Sequence, residues 1–131
     1  MKLDENARYL ESHEWARKEG DEIVIGISDY AQQTLTDIVY VELPDIDDEI
    51  VKDEPFIVVE SVKAASDVIA PMSGVVVAVN EALEDAPEVV NEDPFGDGWM
   101  IRIEPSNPDE WGDLLTPAAY KKVVEEEEAA H

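Results

Sequence analysis

The sequence predicts a mainly β fold: a small flattened barrel or sandwich of two antiparallel sheets in related halves, with short helices and a C-terminal helix. Three observations carry this. Short β-branched runs alternate with turn-forming residues along most of the chain. Two of these runs recur in an internal repeat. Near the C-terminus the apolar spacing changes from strand-like to helical. A chain of 131 residues supplies one core rather than two, so residues 1–131 read as one domain.

The first clear strand is Glu22–Ile27, apolar and β-branched. Ser28 or Asp29 then caps a short helix, whose body is supplied by Ala31, Gln32 and Gln33. Asp37–Leu43 reads as a strand stopped by Pro44 and Asp45. Further strands follow at Phe56–Ser61, Asp67–Ala70, Val75–Val79 and Trp99–Glu104, with Pro71, Ser73 and Gly74 marking a turn. In the repeat, Asp37–Val41 is echoed by Gly74–Val79, and Asp53-Glu54-Pro55-Phe56 by Glu92-Asp93-Pro94-Phe95. Each half runs strand, acidic loop, acidic-Pro-Phe, strand, which predicts two half-sheets about a pseudo-two-fold. Thr116 as N-cap, Pro117 at the first helical position, and Tyr120, Val123 and Val124 three and four apart predict an amphipathic helix at about 117–128.

Composition excludes several classes of function. The formal charge of −24 opposes binding to a nucleic-acid backbone or an anionic membrane surface. It favours a soluble monomer that repels its own copies and is steered towards basic partner surfaces. Plain solubility and adaptation to high salt account for the acidity equally well. The run Glu125–Glu128 reads as a solvated helix end. Without cysteine there are no disulfides, thiolate ligands or Cys nucleophiles, and His13 and His131 alone do not make a multi-histidine metal site. No apolar run approaches a membrane span. The acidic start Met1–Asn6 has neither the apolar stretch of a secretory signal nor the arginines of a transit peptide.

The segment Glu60-Ser61-Val62-Lys63-Ala64-Ala65-Ser66-Asp67 lies between two strands, placing Lys63 at a hairpin tip. Val62, Ala64 and Ala65 are compact and uncharged, which leaves the amine open to a modifying enzyme. A lone turn lysine is ordinarily a solvated charge, and position alone does not single Lys63 out. The turn also lacks the Gly, Asn or Pro usual in a tight hairpin.

Glu60 to Ala64, followed by Ser66 and Asp67, resembles the lipoylation site of glycine cleavage H-proteins. The likeness extends in order along nearly the whole chain. It includes Tyr9 with Ser12-His13-Glu14-Trp15, Gly26 to Gln32, Asp37 to Pro44, and Ala70 to Gly74. It continues through Val79 to Leu83, Val90-Asn91 with Asp93-Pro94, Gly96 to Trp99, and Leu114-Leu115 with Tyr120. Where the family commonly has glycine, this chain has Thr36, Asp47 and Asp53, and Ile57 fills a position that is often small. Those departures matter if the family's glycines serve positive φ.

The resemblance implies a carrier rather than an enzyme, with lipoate amide-linked to Lys63. It implies exchange with a glycine decarboxylase, an aminomethyltransferase, a dihydrolipoamide dehydrogenase and a lipoylating enzyme. The arm would carry an aminomethyl group between the first two. It also implies that Ser12, Glu14 and Asp67 contact the loaded arm; a nearby carboxylate keeps the aminomethyl nitrogen protonated and so protects it from loss to water. Glu60, Ser61, Val62 and Ala64 would be read by the lipoylating enzyme, and His13 and Trp15 would pack and wall the cleft. The compartment would be the cytoplasm in a prokaryote or the mitochondrial matrix in a eukaryote.

Rival readings differ at named features. Biotinyl sites resemble Met-Lys-Met, which Val62-Lys63-Ala64 does not match, and dehydrogenase lipoyl domains resemble Asp-Lys-Ala beside Pro/Ala-rich linkers that are absent. A relay protein that donates lipoyl groups to other 2-oxoacid dehydrogenase complexes, and a non-lipoylated interaction module, both remain open at this point. A hydrolase using paired carboxylates has no specific support, because 33 acidic residues place some pair at any chosen distance.

Overall fold

The computed structural model describes residues 1–130, and His131 lies outside the described residues. The chain opens with β1 (Ala7–Tyr9), β2 (Glu14–Glu19), β3 (Glu22–Ile27) and α1 (Asp29–Leu35). It continues through β4 (Ile38–Glu42), β5 (Glu49–Ile50), β6 (Pro55–Ser61), β7 (Ala65–Ile69) and β8 (Gly74–Val79). Two one-turn helices, α2 (Ala82–Asp85) and α3 (Val89–Glu92), precede β9 (Ile101–Pro105). A 3-10 turn at Pro108–Asp113 leads to α4 (Pro117–Ala129).

Every strand pairing is antiparallel, in a six-stranded sheet ordered β1-β2-β3-β9-β8-β5 and a three-stranded sheet ordered β4-β6-β7. The sheets do not close, so the architecture is a sandwich and not a barrel. Both halves of the sequence repeat form an antiparallel pair: β4 with β6, and β8 with β9. The pairs lie in different sheets, and the likeness is incomplete beyond them. Pro55 and Phe56 open β6, whereas Pro94 and Phe95 sit in a turn well before β9.

Strand alternation explains the core. On β6, Ile57 and Val59 are buried, Val58 and Glu60 face outward, and Phe56 at the irregular start of the strand is half-buried against the core. The inward set meets Ile38, Val41 and Val68 of its own sheet and Ile23, Ile25, Val76, Ile101 and Ile103 of the other. A second apolar cluster lies under α4, where Tyr120 and Val124 pack on Tyr9, Trp15 and Val24. The rings of Tyr9 and Tyr120 stack 4.2 Å apart. Each such buried side chain contributes about 1.5–3 kcal/mol relative to exposure.

The predicted caps form. Ser28 Oγ accepts a hydrogen bond from the Ala31 amide, and Thr116 Oγ1 accepts one from Ala119. The helix expected at about 117–128 runs one residue further, and Tyr120 and Val124 are its buried face. The backbone decides the glycine question: Thr36, Asp47 and Asp53 all have positive φ, at 64°, 78° and 71°. Ile57 is instead a buried strand residue. His13 also has positive φ, which the sequence does not signal.

Candidate functional site

Main-chain pairing and one side chain build the tip of the β6–β7 hairpin. Glu60 pairs with Ala65, and the Ser61 amide donates to the Ala64 carbonyl across 2.8 Å. Ser61 Oγ then accepts from the Lys63 and Ala64 amides, at 3.2 and 3.1 Å, and donates to the Ala64 carbonyl. A serine hydroxyl thus does the work usually given to Gly or Asn, which explains a tight tip without either. The Val62 amide donates to the Asp37 carbonyl at 3.0 Å, tying the tip to the residue before β4. Lys63 is exposed and, among the described residues, not ion-paired. Glu60, Val62 and Ala64 are exposed and Ser61 is half-buried.

Along β7, away from the tip, lies a cavity of about 130 Å³. Ser12, Glu14 and Asp67 share its lining with apolar walls from Ile27, Ala31 and Leu35. The structure therefore brings together the three polar residues expected to act together. It does not bring Lys63 there: the lysine stands at the tip, four residues before Asp67.

Glu14 is only 2 % exposed. Its Oε2 accepts from the Ile69 amide at 2.7 Å, and its Oε1 accepts from the Ser12 hydroxyl. Burial pushes its carboxyl up to about 7, with these two hydrogen bonds opposing part of the rise. The arrangement tolerates either protonation state, because the serine hydroxyl accepts from a protonated Glu14 as readily as it donates to an ionised one. Asp67 is exposed and sits opposite Val58 on β6.

His13 and Trp15 separate in role. His13 lines the cavity, and its ring nitrogens lie 2.9 Å from the Tyr120 hydroxyl and 2.9 Å from a Glu127 carboxylate oxygen. Its carbonyl accepts from the Ser28 amide, so the loop carrying Ser12, and Glu14 at the start of β2, are held against α1 and α4. Trp15 is fully buried and is not among the lining residues. Its Nε1 donates to the carbonyls of Ile27 and Pro94. A Cβ on Gly26 would lie 2.8 Å from its ring, which is why that strand residue is glycine.

The apolar walls were not legible as a site. Ala31 and Leu35 are four apart on α1 and could have been read as its inner face, but nothing in their identity marks them as lining a cavity. Among the described residues there is no group of three or more His, Asp or Glu able to hold a metal ion.

Comparison with known proteins decides the relationship. A model of the family described as "Glycine cleavage H-protein" matches residues 7–127. The chain belongs to that family. It is 56% identical over 128 residues to the glycine cleavage system H protein of Anaeromyxobacter sp. (strain K), covering 98% of this chain and 100% of the relative. It is 54% identical over 123 residues to the probable glycine cleavage system H protein of Haloarcula marismortui, covering 94% and 97%. The crystal structure of a glycine cleavage system H protein from Mycobacterium marinum matches with a TM-score of 0.84 at 35% identity, covering 92% of this chain and 97% of that one. Within this H-protein-family chain, the sandwich is the scaffold that presents the Lys63 hairpin and the cavity beside it.

Proposed function

We propose that this chain, as one carrier domain over residues 1–131, is the lipoyl-bearing shuttle of the glycine cleavage system. Lipoate is amide-linked to Lys63. The arm carries an aminomethyl group from the glycine decarboxylase to the aminomethyltransferase and presents its dithiol to dihydrolipoamide dehydrogenase. The chain itself is not an enzyme. The carrying observation is that one hairpin joins an exposed, rigidly turned lysine to a cavity lined by Ser12, Glu14 and Asp67. Family membership supports the same reading.

When bound, the lipoyl group supplies a disulfide–dithiol couple and a sulfur that holds the one-carbon cargo. The chain's own residues fit such a group: an open amine for attachment, and a cavity with apolar walls and acids for retention. Ser12 positions the Glu14 carboxyl through its hydroxyl. The Ile69 amide fixes the other oxygen. A cationic cargo beside Glu14 favours its ionised form, so entry of the cation displaces the Glu14 proton. Asp67 adds a second negative charge at the same cavity. Apolar Ile27, Ala31 and Leu35 limit water there.

Bacterial and archaeal relatives support a cytoplasmic setting. No helix among the described residues is long and apolar enough to cross a membrane. Intact mass spectrometry after expression with lipoate tests the attachment: one lipoyl group is gained, and the gain is lost in Lys63→Ala. An unmodified wild type with a competent ligase overturns the reading. For Glu14, an unchanged rate of cargo hydrolysis in Glu14→Gln removes its protective role.

A further inference from the structure

Among the described residues, six large apolar side chains are exposed, and three of them gather beside one lysine. Val62, next to Lys63, is 67 % exposed, while Val39 and Tyr40 on β4 are 53 % and 47 % exposed. Strand register places them together. Ile38 pairs with Ser61 and Tyr40 with Glu60, so a bulge at Val39 leaves two consecutive β4 residues exposed beside the hairpin root. Cross-strand partners lie about 5 Å apart. The Val62–Asp37 hydrogen bond ties the tip to the residue that leads into the same strand. The patch is therefore tied to the tip that carries Lys63, and the exposed acids Asp37, Glu42 and Glu60 adjoin it along β4 and across the Tyr40–Glu60 pair.

We propose that Val39, Tyr40 and Val62 form an apolar collar on which the enzyme that acylates Lys63 docks, with a basic rim on that enzyme facing Asp37, Glu42 and Glu60. The inference rests on the reading of Lys63 as the attachment point and adds β4 residues that lie far from Lys63 in the sequence. Reach selects the occupant. An enzyme working at the far end of a long arm does not need to enclose the lysine. The acylating enzyme must bring Nζ itself into its active site, so it covers whatever surrounds that nitrogen.

The chemistry explains why the surroundings are apolar. Nζ must first lose a proton from its ammonium form, and removal from water disfavours that form. The neutral amine then attacks the carbonyl carbon of an acyl donor activated as an acyl-adenylate or thioester. The N–C bond forms, and the bond to the leaving group breaks with its electron pair going to AMP or the thiolate. A second proton leaves nitrogen for a base on the partner, and one stays in the amide. A collar sealed against the partner's wall excludes water from these steps, and the acidic rim orients the approach.

The test uses the full-length unmodified protein, a purified lipoate ligase and lipoyl-adenylate, followed by intact mass. Val39→Thr with Tyr40→Ser is expected to lower kcat/KM for acylation at least tenfold, mainly through KM. Val62→Ser, outside any strand, is expected to lower it several-fold and serves if the double variant folds poorly. Val51→Thr, at an exposed apolar position away from the hairpin, is the control expected to match wild type. Collar variants acylated at the wild-type rate overturn the collar alone. A wild type that gains no mass at Lys63 overturns the attachment reading and the collar with it.

Discussion

The hairpin tip and the cavity share strand β7 yet are built in opposite ways. At the tip, Lys63 and its neighbours face water, and the turn is held by main-chain bonds and one serine hydroxyl. At the cavity, an acid is buried nearly completely, clamped by an amide from β7 and backed by the inter-sheet core through Ile27, Val59 and Val68. The tip gives access and contributes little to stability. In the proposed shuttle the cavity retains the cargo, at the cost of burying an ionisable group. A carrier needs both on one rigid piece, and a continuous strand provides it.

The largest expected effect separates the two regions by stability alone. Trp15→Ala removes a fully buried ring that bonds two carbonyls and packs on Gly26. A loss of about 3–5 kcal/mol is expected. At the tip, Val62→Ala should change stability by less than about 0.5 kcal/mol, as for exposed positions generally. Urea unfolding of both variants measures the contrast, and similar losses would break it.

Next in size is the pH dependence of the buried acid. Glu14 has a folded value of about 7, above its usual 4.5. The native state therefore holds an extra proton between those values. Its stabilising contribution is full below about pH 4.5 and is lost as pH rises through about 7. Glu14→Gln mimics the protonated acid and escapes that loss. The variant should match wild type near pH 4 and exceed it by up to about 3 kcal/mol above pH 7. Paired melting curves across this range test the sign. A variant less stable than wild type at pH 8 would show that the ionised carboxylate is the favoured native form.

How much of this was legible follows from where the information sits. Strands β3, β4, β6 and β8 carry continuous β-branched runs, and their positions are readable to within a residue. Strand β2, Glu-Trp-Ala-Arg-Lys-Glu, reads as polar because its outer half is exposed, and β1 and β5 are too short for any period. The one-turn helices α2 and α3 lack side-chain caps and give no signal. Lys63, Ser12, Glu14 and Asp67 came from family resemblance. That Ser12, Glu14 and Asp67 share one cavity is a tertiary fact no local pattern holds. The replaced glycines are the exception, since the departure at Thr36 raised the question of positive φ that the backbone answers. Thr36 ends α1, the cavity wall, at φ 64° and ψ −149°, with its carbonyl held by Asn91 Nδ2 at 2.8 Å. A β-branched residue there is strained, so Thr36→Gly should raise stability by about 1–2 kcal/mol, read as a higher urea midpoint at constant slope.

The smallest effect bears most directly on whether the tip is rigid or merely exposed. Ser61 Oγ serves two amides and one carbonyl within a four-residue turn. Ser61→Ala leaves the flanking register intact, because the Ser61 amide still donates to the Ala64 carbonyl and Glu60 still faces Ala65. The freed amides are near solvent and find water, so the loss should stay near the low end of the usual 0.5–1.5 kcal/mol for a hydrogen bond, about 0.5 kcal/mol. Global unfolding would then barely change. Local opening would change more, since the hydroxyl is what keeps the Lys63 and Ala64 amides out of exchange. Faster hydrogen exchange at Lys63 and Ala64, with Ile69 beside the cavity unaffected, is the expected pattern. Faster exchange at Ile69 as well would mean that the tip and the cavity open together, and that one strand couples access to retention.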